Sequence, residues 1–424
     1  MSNTTKRVLK TLFFLLIIFL PSNLFLSFFS STAYINGLQI DFLIPKLYAS
    51  QIITLNILWV GFINIKGKNK FNLKKILLSN QLLTILSLVF IIRQFFTPQP
   101  LASIWFLGQL LLSISLFFFL QKNHWLLKTS SFYWSIFTSL VTQFFLAIYQ
   151  FLQQKPLLPY FILGESRFEP YFRISRHLFN GKERILAYGS TSHPNILAGV
   201  VVIFFLILLN KSVKQPSKES LVHSTLALLA TIITLHFTQS LSALLVLFFG
   251  GAMIVLPLLI KKNTLFKYKK NFLWIVLSMI IVFSPIIISS LTDNYPNESS
   301  ITRRDQLNRA ALSIFTDRWL LGAGLNQFTG VVEEYSSSAQ TVRFVQPAHH
   351  VGLLILAEGG LLFVFIIVSI QKFFHKTNSE SILMSLLLIS PILVLDHYLF
   401  TLQIGQLLIV VLLTHQLALA TKLE

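Results

Sequence analysis

Of 424 residues, 54% are apolar and only 12% charged, about half the charge of an ordinary soluble domain. That balance argues against a set of soluble domains, and the lack of cysteine excludes disulfides and thiolate metal sites. The formal charge of +19 sits in a chain whose apolar runs approach the ~20 residues needed to cross a bilayer. It therefore has to be divided by membrane side before it indicates a partner.

Continuous apolar runs fall at 11–30, 47–65, 74–93, 101–120, 131–152, 194–209, 221–235, 241–260, 272–291, 351–370, 381–399 and 404–420. Continuous rather than alternating runs predict helices and exclude a barrel, the two ways a chain satisfies its backbone in lipid. The expectation is an all-α integral membrane protein with about twelve transmembrane helices. Its parts are five helices in 1–152, an external loop over 153–193, helices six to nine in 194–291, a large external loop over 292–350, and three helices in 351–424. Leu24–Phe29 lies beyond Pro21 in the first run, so that helix is expected to kink. Lys6, Arg7 and Lys10 before Leu12–Leu20 imitate a secretory signal, but eleven further runs favour a retained first helix.

Simple alternation puts the basic loops on one side: Lys66, Lys68, Lys70, Lys74 and Lys75; Lys122 and Lys128; Lys211, Lys214 and Lys218; Lys261 to Lys270; Lys372 and Lys376. The positive-inside rule then places both termini in the cytoplasm and the protein in the cytoplasmic membrane. The arginines sort the other way. Only Arg7 is inside, whereas Arg93, Arg167, Arg173, Arg176, Arg184, Arg303, Arg304, Arg309, Arg318 and Arg343 face outward, all but Arg93 in the two long loops. Lysine suffices as a topogenic charge; arginine offers a planar fork for phosphate or carboxylate. Two arginine-rich outer loops predict an anion-binding surface. The plainer alternative is pairing with Glu165, Glu169, Glu183, Asp305, Asp317, Glu333, Glu334 or lipid headgroups. The short inner loops leave no room for a nucleotide-binding domain, and the lysine clusters have a topogenic role that removes nucleic acid as a partner.

The outer stretch around 301–317 reads as an amphipathic helix. Thr302 and Asp305 have capping-box spacing, and Leu307, Ala311, Ile314 and Phe315 share an apolar face. Further on, Pro347 stands where a helix would start, with His349 and His350 in its first turn. A helix N-terminus disfavours protonated imidazole and keeps it able to accept a proton. Glu358 lies on the opposite face, deeper in. Adjacent histidines on a helix diverge by about 100° and no third ligand is evident, so no metal is expected.

Several motifs then line up. They are Arg304-x3-Asn308-Arg309-Ala-Ala-Leu312, Trp319-Leu-Leu-Gly322-Ala-Gly324-Leu-Asn-Gln-Phe328, Ala348-His349 and Glu358-Gly359. With them go Ala187-Tyr-Gly-Ser-Thr-Ser-His193-Pro194-Asn195-Ile-Leu-Ala198 and Asp396-His397-Tyr-Leu-Phe-Thr401-Leu-Gln-Ile-Gly405-Gln. In this order the set resembles the O-antigen ligase and polymerase superfamily of membrane glycan transferases, over about 180–405. The resemblance implies a GT-C-like fold and a cofactor-free, metal-independent inverting transfer. The donor would be a polyprenyl-diphosphate-linked glycan, and the acceptor a glycan, lipid or protein at the external face. It gives His349 the position of the catalytic base and Arg304 that of the diphosphate-binding arginine. Arg303, Arg309, His193 and Asn195 fall beside these as substrate contacts, and Glu358, Asp396 and His397 as supporting groups. The family's further arginine precedes the His-Pro-Asn segment; here Leu186 holds that place and Arg184 lies two residues away. The family has Asn after its histidine where this chain has His350, leaving both histidines as candidates.

A ligase and a repeat-unit polymerase share these motifs and differ in acceptor. A flippase for the same lipid would place ionisable groups at midplane, yet the helix interiors here are almost uncharged apart from Glu358. A purely structural membrane protein leaves the arginine asymmetry without a role.

Overall fold

A computed structural model describes residues 1–63, 81–168, 174–179, 181–260, 298–336, 345–373 and 379–420. The run at 272–291, the lysines of 64–80 and 261–270, and Lys376, Glu169, Arg173 and Arg343 lie outside these residues. The chain is mostly helical, and six helices are long and apolar enough to cross a membrane. The twelve runs do not map one-to-one onto such helices. Three shorter apolar helices accompany the six among the described residues.

Helix α1 (Asn3–Phe19) starts on the Ser2 hydroxyl, which accepts the Thr5 N–H, and it ends before Pro21. It stops there rather than kinking. The following apolar residues become strand β1 (Phe25–Ser27), and two more short strands follow, β2 (Tyr34–Ile35) and β3 (Leu38–Gln39). Strand β4 (Lys46–Tyr48) pairs antiparallel with β1, so an arch from 23 to 48 replaces the expected helix end in a fold that is otherwise mostly helical. The next helices are α2 (Ala49–Ile63), α3 (Gln81–Arg93), α4 (Pro100–Lys122) and α5 (Ser130–Gln153), followed by the short α6 (Tyr160–Leu163). A hairpin of β5 (Arg176–Phe179) and β6 (Lys182–Ile185) fills the first long loop.

Three helices come next: α7 (Pro194–Lys214), α8 (Lys218–Thr238) and α9 (Leu241–Ile260). Helix α7 is apolar all round, the signature of a central helix, and 89% of its spanning window is buried, against α5, α8, α9 and a last helix, α16 (Gln403–Ala420). Polar side chains join the helices as pairs: Asn210 Nδ2 donates to Gln416 Oε1 at 2.9 Å and Gln51 Nε2 to Gln403 Oε1 at 3.1 Å. Paired amides of this kind avoid unsatisfied groups in the bundle.

The amphipathic helix α10 (Glu298–Asp317) starts one turn earlier than the Thr302 cap predicts, leaving Thr302 inside it. Leu307, Ala310, Ala311 and Ile314 are buried against α11 (Phe328–Tyr335) and α12 (Val351–Phe373) in a second core. The predicted span at 381–399 is broken into α13 (Ser379–Leu388), α14 (Ser390–Leu395) and α15 (Tyr398–Thr401). Pro391 at the start of α14 removes an N–H and forces a break.

Helix α12 breaks at Gly360, at φ 61° and ψ −170°. The backbone groups freed by the break bond to the turn after α10: Leu361 N–H reaches Trp319 O at 2.8 Å, and Ala323 N–H reaches Ala357 O at 2.9 Å. Gly322 and Gly324, also at positive φ, let the two backbones approach this closely. The motif glycines therefore splice a loop into a helix.

Candidate functional site

A cavity of about 970 Å3 opens at the end of the bundle where α1 finishes and α7, α12 and α16 begin. Its walls come from the 23–48 arch, the loop after α6, the start of α7, the first turns of α10, the approach to α12 and the 396–402 turn. Arg303, Arg304, His193, Asn195, His349, Asp396 and His397 all line it. Residues far apart in sequence thus meet in one chamber.

His193 caps α7: its Nδ1 accepts the Asn195 N–H at 3.2 Å, which leaves Nε2 to donate to Ser175 Oγ at 3.2 Å. Asn195 in turn donates from Nδ2 to Asp396 Oδ2 at 3.0 Å, and Ser242 adds a hydroxyl at 3.3 Å. Burial pushes Asp396 up to about 6, against the opposing pull of Arg304 and these hydrogen bonds. The expectation that His349 and His350 occupy a first helical turn is corrected, since α12 begins only at Val351. His350 instead caps that helix, its Nδ1 accepting the Leu353 N–H at 3.3 Å, and it does not line the cavity.

His349 meets the ring of His397 edge-on, with centroids 5.2 Å apart and planes at 80°. Phe42 of the arch also packs edge-on with His397, with centroids 5.4 Å apart. The Nδ1 of His349 is sealed from solvent with no hydrogen-bond partner among the described residues. Burial, then Arg304, His193 and Arg303, lowers His349 to about 3. Burial and Arg304 lower His193 to about 4, although part of its surface opens into the cavity. These imidazoles are neutral at ordinary pH.

Arg304 is half-buried, lines the cavity and has no carboxylate within ion-pair distance among the described residues. The other arginines divide. Arg309 is exposed and paired with Asp305 at 2.7 Å one turn back, Arg176 bonds Glu183 across the hairpin, and Arg318 sits near Asp317 and Glu334. Arg184 lies outside the cavity, donating to Phe151 O at 3.2 Å with its guanidinium over the Phe151 ring. Arg176, Arg309 and Arg318 thus have local acidic partners, whereas Arg304 has none among the described residues. The Glu165 carboxylate accepts from Gln150 Nε2 and from the Leu157 and Leu158 N–H groups. Glu358 is likewise outside the cavity, accepting the Asn326 and Phe328 N–H groups at 2.9 and 3.1 Å and so fixing the spliced loop.

The arch from 23 to 48 supplies cavity residues that the apolar runs and motifs do not mark. Lys46, held by Asp41 at 2.6 Å, lines the cavity with Tyr48, Tyr160 and Arg167. The available signal was that Lys46 is one of only three lysines on the arginine side. Tyr160 ties the arch down, donating to Asn23 O at 3.0 Å and accepting the Phe25 N–H at 3.2 Å. A chamber with a guanidinium that has no ion-pair partner among the described residues, neutral imidazoles and aromatic walls is suited to an anionic, hydroxyl-rich ligand. No family model matches this chain, and no curated protein sequence matches it either.

Proposed function

We propose that the chain is a membrane glycosyltransferase that moves a glycan from a polyprenyl diphosphate onto an acceptor hydroxyl, in the manner of an O-antigen ligase. The single observation that carries the reading is the pair formed by Arg304 and His349. A half-buried arginine without a carboxylate faces the same cavity as an imidazole that Arg304 helps keep unprotonated. A half-buried guanidinium with no ion-pair partner among the described residues offers its planar fork to a diphosphate.

In this reading the diphosphate lies against Arg304 and Arg303. The acceptor oxygen bonds to the anomeric carbon as the carbon–oxygen bond to the diphosphate breaks, and the bonding pair leaves with the diphosphate. Guanidinium groups already in place stabilise that departing charge. His349 takes the acceptor proton, an effect worth typically 10²–10⁴-fold. Its low basicity comes partly from the cations around it, and a bound diphosphate would offset them. The donor thus readies its own base. Among the described residues, Arg303, Arg304 and Arg167 line the cavity while Lys211 and Lys214 stand at the far end of α7, which supports the cavity facing outward from the cytoplasmic membrane.

The test is transfer from a polyprenyl-diphosphate-linked oligosaccharide by purified protein, comparing His349→Ala and Arg304→Ala variants that insert and unfold like the parent. Loss of transfer in both is expected; full transfer in both would overturn the assignment.

A further inference from the structure

Helix α7 runs from His193, its cap at the chamber, to Lys214. Its 21 residues span about 30 Å at the helical rise, the thickness of a bilayer's hydrocarbon layer. The far end of α7 therefore meets the opposite membrane surface. Lys211 and Lys214 stand in its last turn, and Lys218 starts α8. Serines fix the turn between them. The Ser212 hydroxyl donates to the Ser220 carbonyl at 2.6 Å, and Ser217 and Ser220 exchange side-chain and backbone bonds as a capping box. The lysines are thus presented by a hydrogen-bonded turn rather than a loose loop.

Lys211 is half-buried, and its Nζ stands 3.7 Å from the centroid of the Tyr133 ring in the first turn of α5. Neither Lys211 nor Lys214 has a carboxylate within ion-pair distance among the described residues. Glu219, the acid of this turn, acts on Lys211 from beyond that distance. An ammonium over an aromatic face still has N–H donors to offer. Beside it runs an apolar face. His223 packs against both Trp134 and Phe137, with ring centroids 4.4 and 4.5 Å away, which joins α8 to α5. Around this joint Trp134 on α5 and Val222 and Leu226 on α8 stay about half exposed. A tryptophan beside lysines at a membrane surface marks the level where headgroups meet acyl chains.

We propose that the end of the bundle opposite the chamber holds an anionic phospholipid, its phosphate on Lys211 and Lys214 and its acyl chains along Trp134, Val222 and Leu226. Basic pockets between helices suit anionic headgroups in this way. Two lysines against Glu219 leave a net positive charge, which favours a headgroup that is negative overall. A zwitterionic headgroup would turn its own amine toward the lysines and gain less. The site is separate from the chamber and stands whether or not the transferase reading does. Lysines that set topology during insertion thus acquire a second role in the folded protein.

The experiment uses the full chain in detergent, with phosphatidylglycerol and phosphatidylcholine of identical acyl chains as probes. Thermal midpoints against lipid concentration give the apparent affinity, and native mass spectrometry counts the lipids that stay bound. Phosphatidylglycerol is expected to raise the midpoint, phosphatidylcholine much less, and the gap should shrink with salt. Each lysine should contribute about 5-fold to phosphatidylglycerol affinity, read in Lys214→Gln and in Lys211→Gln/Lys214→Gln. Lys214 is exposed, so its single variant keeps the test available should Lys211→Gln misfold. The control Lys6→Gln/Lys122→Gln removes the same charge from the same end and should bind lipid like the parent. Equal losses in the site and control variants would reduce the effect to general charge and overturn the site. Equal rises with the two lipids, or a rise with inorganic phosphate as large as with phosphatidylglycerol, would overturn it too.

Discussion

The Gly324 N–H donates to the backbone carbonyl of Glu358 at 2.8 Å, joining a loop after α10 to the broken turn of α12. The same Glu358 side chain takes two more N–H groups of that loop. Helix α10 carries Arg304, and His349 directly precedes α12. The splice is therefore what holds the arginine and the histidine in register, although neither glycine nor Glu358 touches the cavity.

Gly322 is the residue on which this splice is most sensitive. It lies at φ 63°, and a Cβ there would meet the Glu358 carbonyl. Gly322→Ala is expected to lose about 1–3 kcal/mol from backbone strain, with the clash in addition. Gly251, a helical glycine with open space around its Cβ position, is the control. Thermal unfolding in detergent should show a lowered midpoint for Gly322→Ala and not for Gly251→Ala. Equal midpoints would contradict the splice.

Within the site, arginines are expected to separate by whether they already have partners. Arg304→Lys should recover part of the transfer lost in Arg304→Ala, because lysine restores charge but not the fork. Arg184→Ala and Arg309→Ala remove side chains engaged with Phe151 and Asp305 outside the cavity, and should keep transfer within about threefold, a difference below 1 kcal/mol. Initial rates on one donor preparation measure all four. A loss with Arg184→Ala as deep as with Arg304→Ala would relocate the diphosphate.

The charge state of His349 should report the anion. Burial and the nearby cations hold it at about 3. Soluble pyrophosphate, by neutralising Arg304 and Arg303, is expected to raise it by about one unit or more, each unit being 1.36 kcal/mol of differential interaction. Histidine NMR titrations with and without pyrophosphate would read the shift. No shift at saturation would separate the anion from the histidine.

Acid should weaken the fold. His349 and His193 have folded values of about 3 and 4, below the unfolded 6.5, so the unfolded chain binds more protons in that interval. Their stability contribution is complete above about pH 6.5 and is lost as the pH falls through about 4 and then 3. Asp396 works the other way: its value is raised from 3.8 to about 6, so its contribution is present below 3.8 and is lost as the pH rises through 6. His397, which burial also holds well below its ordinary value, adds to them, so three histidines against one aspartate give a net loss on acidification. Unfolding midpoints from pH 7 down to about 4.5 should fall, and a level or rising series would contradict these assignments.

Long apolar helices were legible because their signal is local: a run such as 194–209 needs only its own residues to read as a span. The arch was not, because Phe25–Ser27 becomes a strand only by pairing with Lys46–Tyr48, and nothing within Leu24–Phe29 announces that partner. Motif residues at 193–195, 303–304, 349 and 396–397 proved to line one chamber, whereas Arg184 and Arg309 did not. Counting arginines by loop cannot see that one lies against a ring and another against a carboxylate one turn away. Glu358 drew attention as the one interior charge, and its partners turn out to be backbone N–H groups that no side-chain pattern displays.

The burial of α7 also has a consequence for the order in which the molecule is built. Its sheath comes from α5, made before it, and from α8, α9 and α16, made after it. A ribosome delivers this helix long before α16 exists, so during synthesis one flank of α7 must rest against lipid or a helper protein. Its unbroken apolar surface suits that interval, because every side of it tolerates hydrocarbon until protein arrives. The cavity floor at His193 is thus laid early, and closing it waits for the last helix of the bundle.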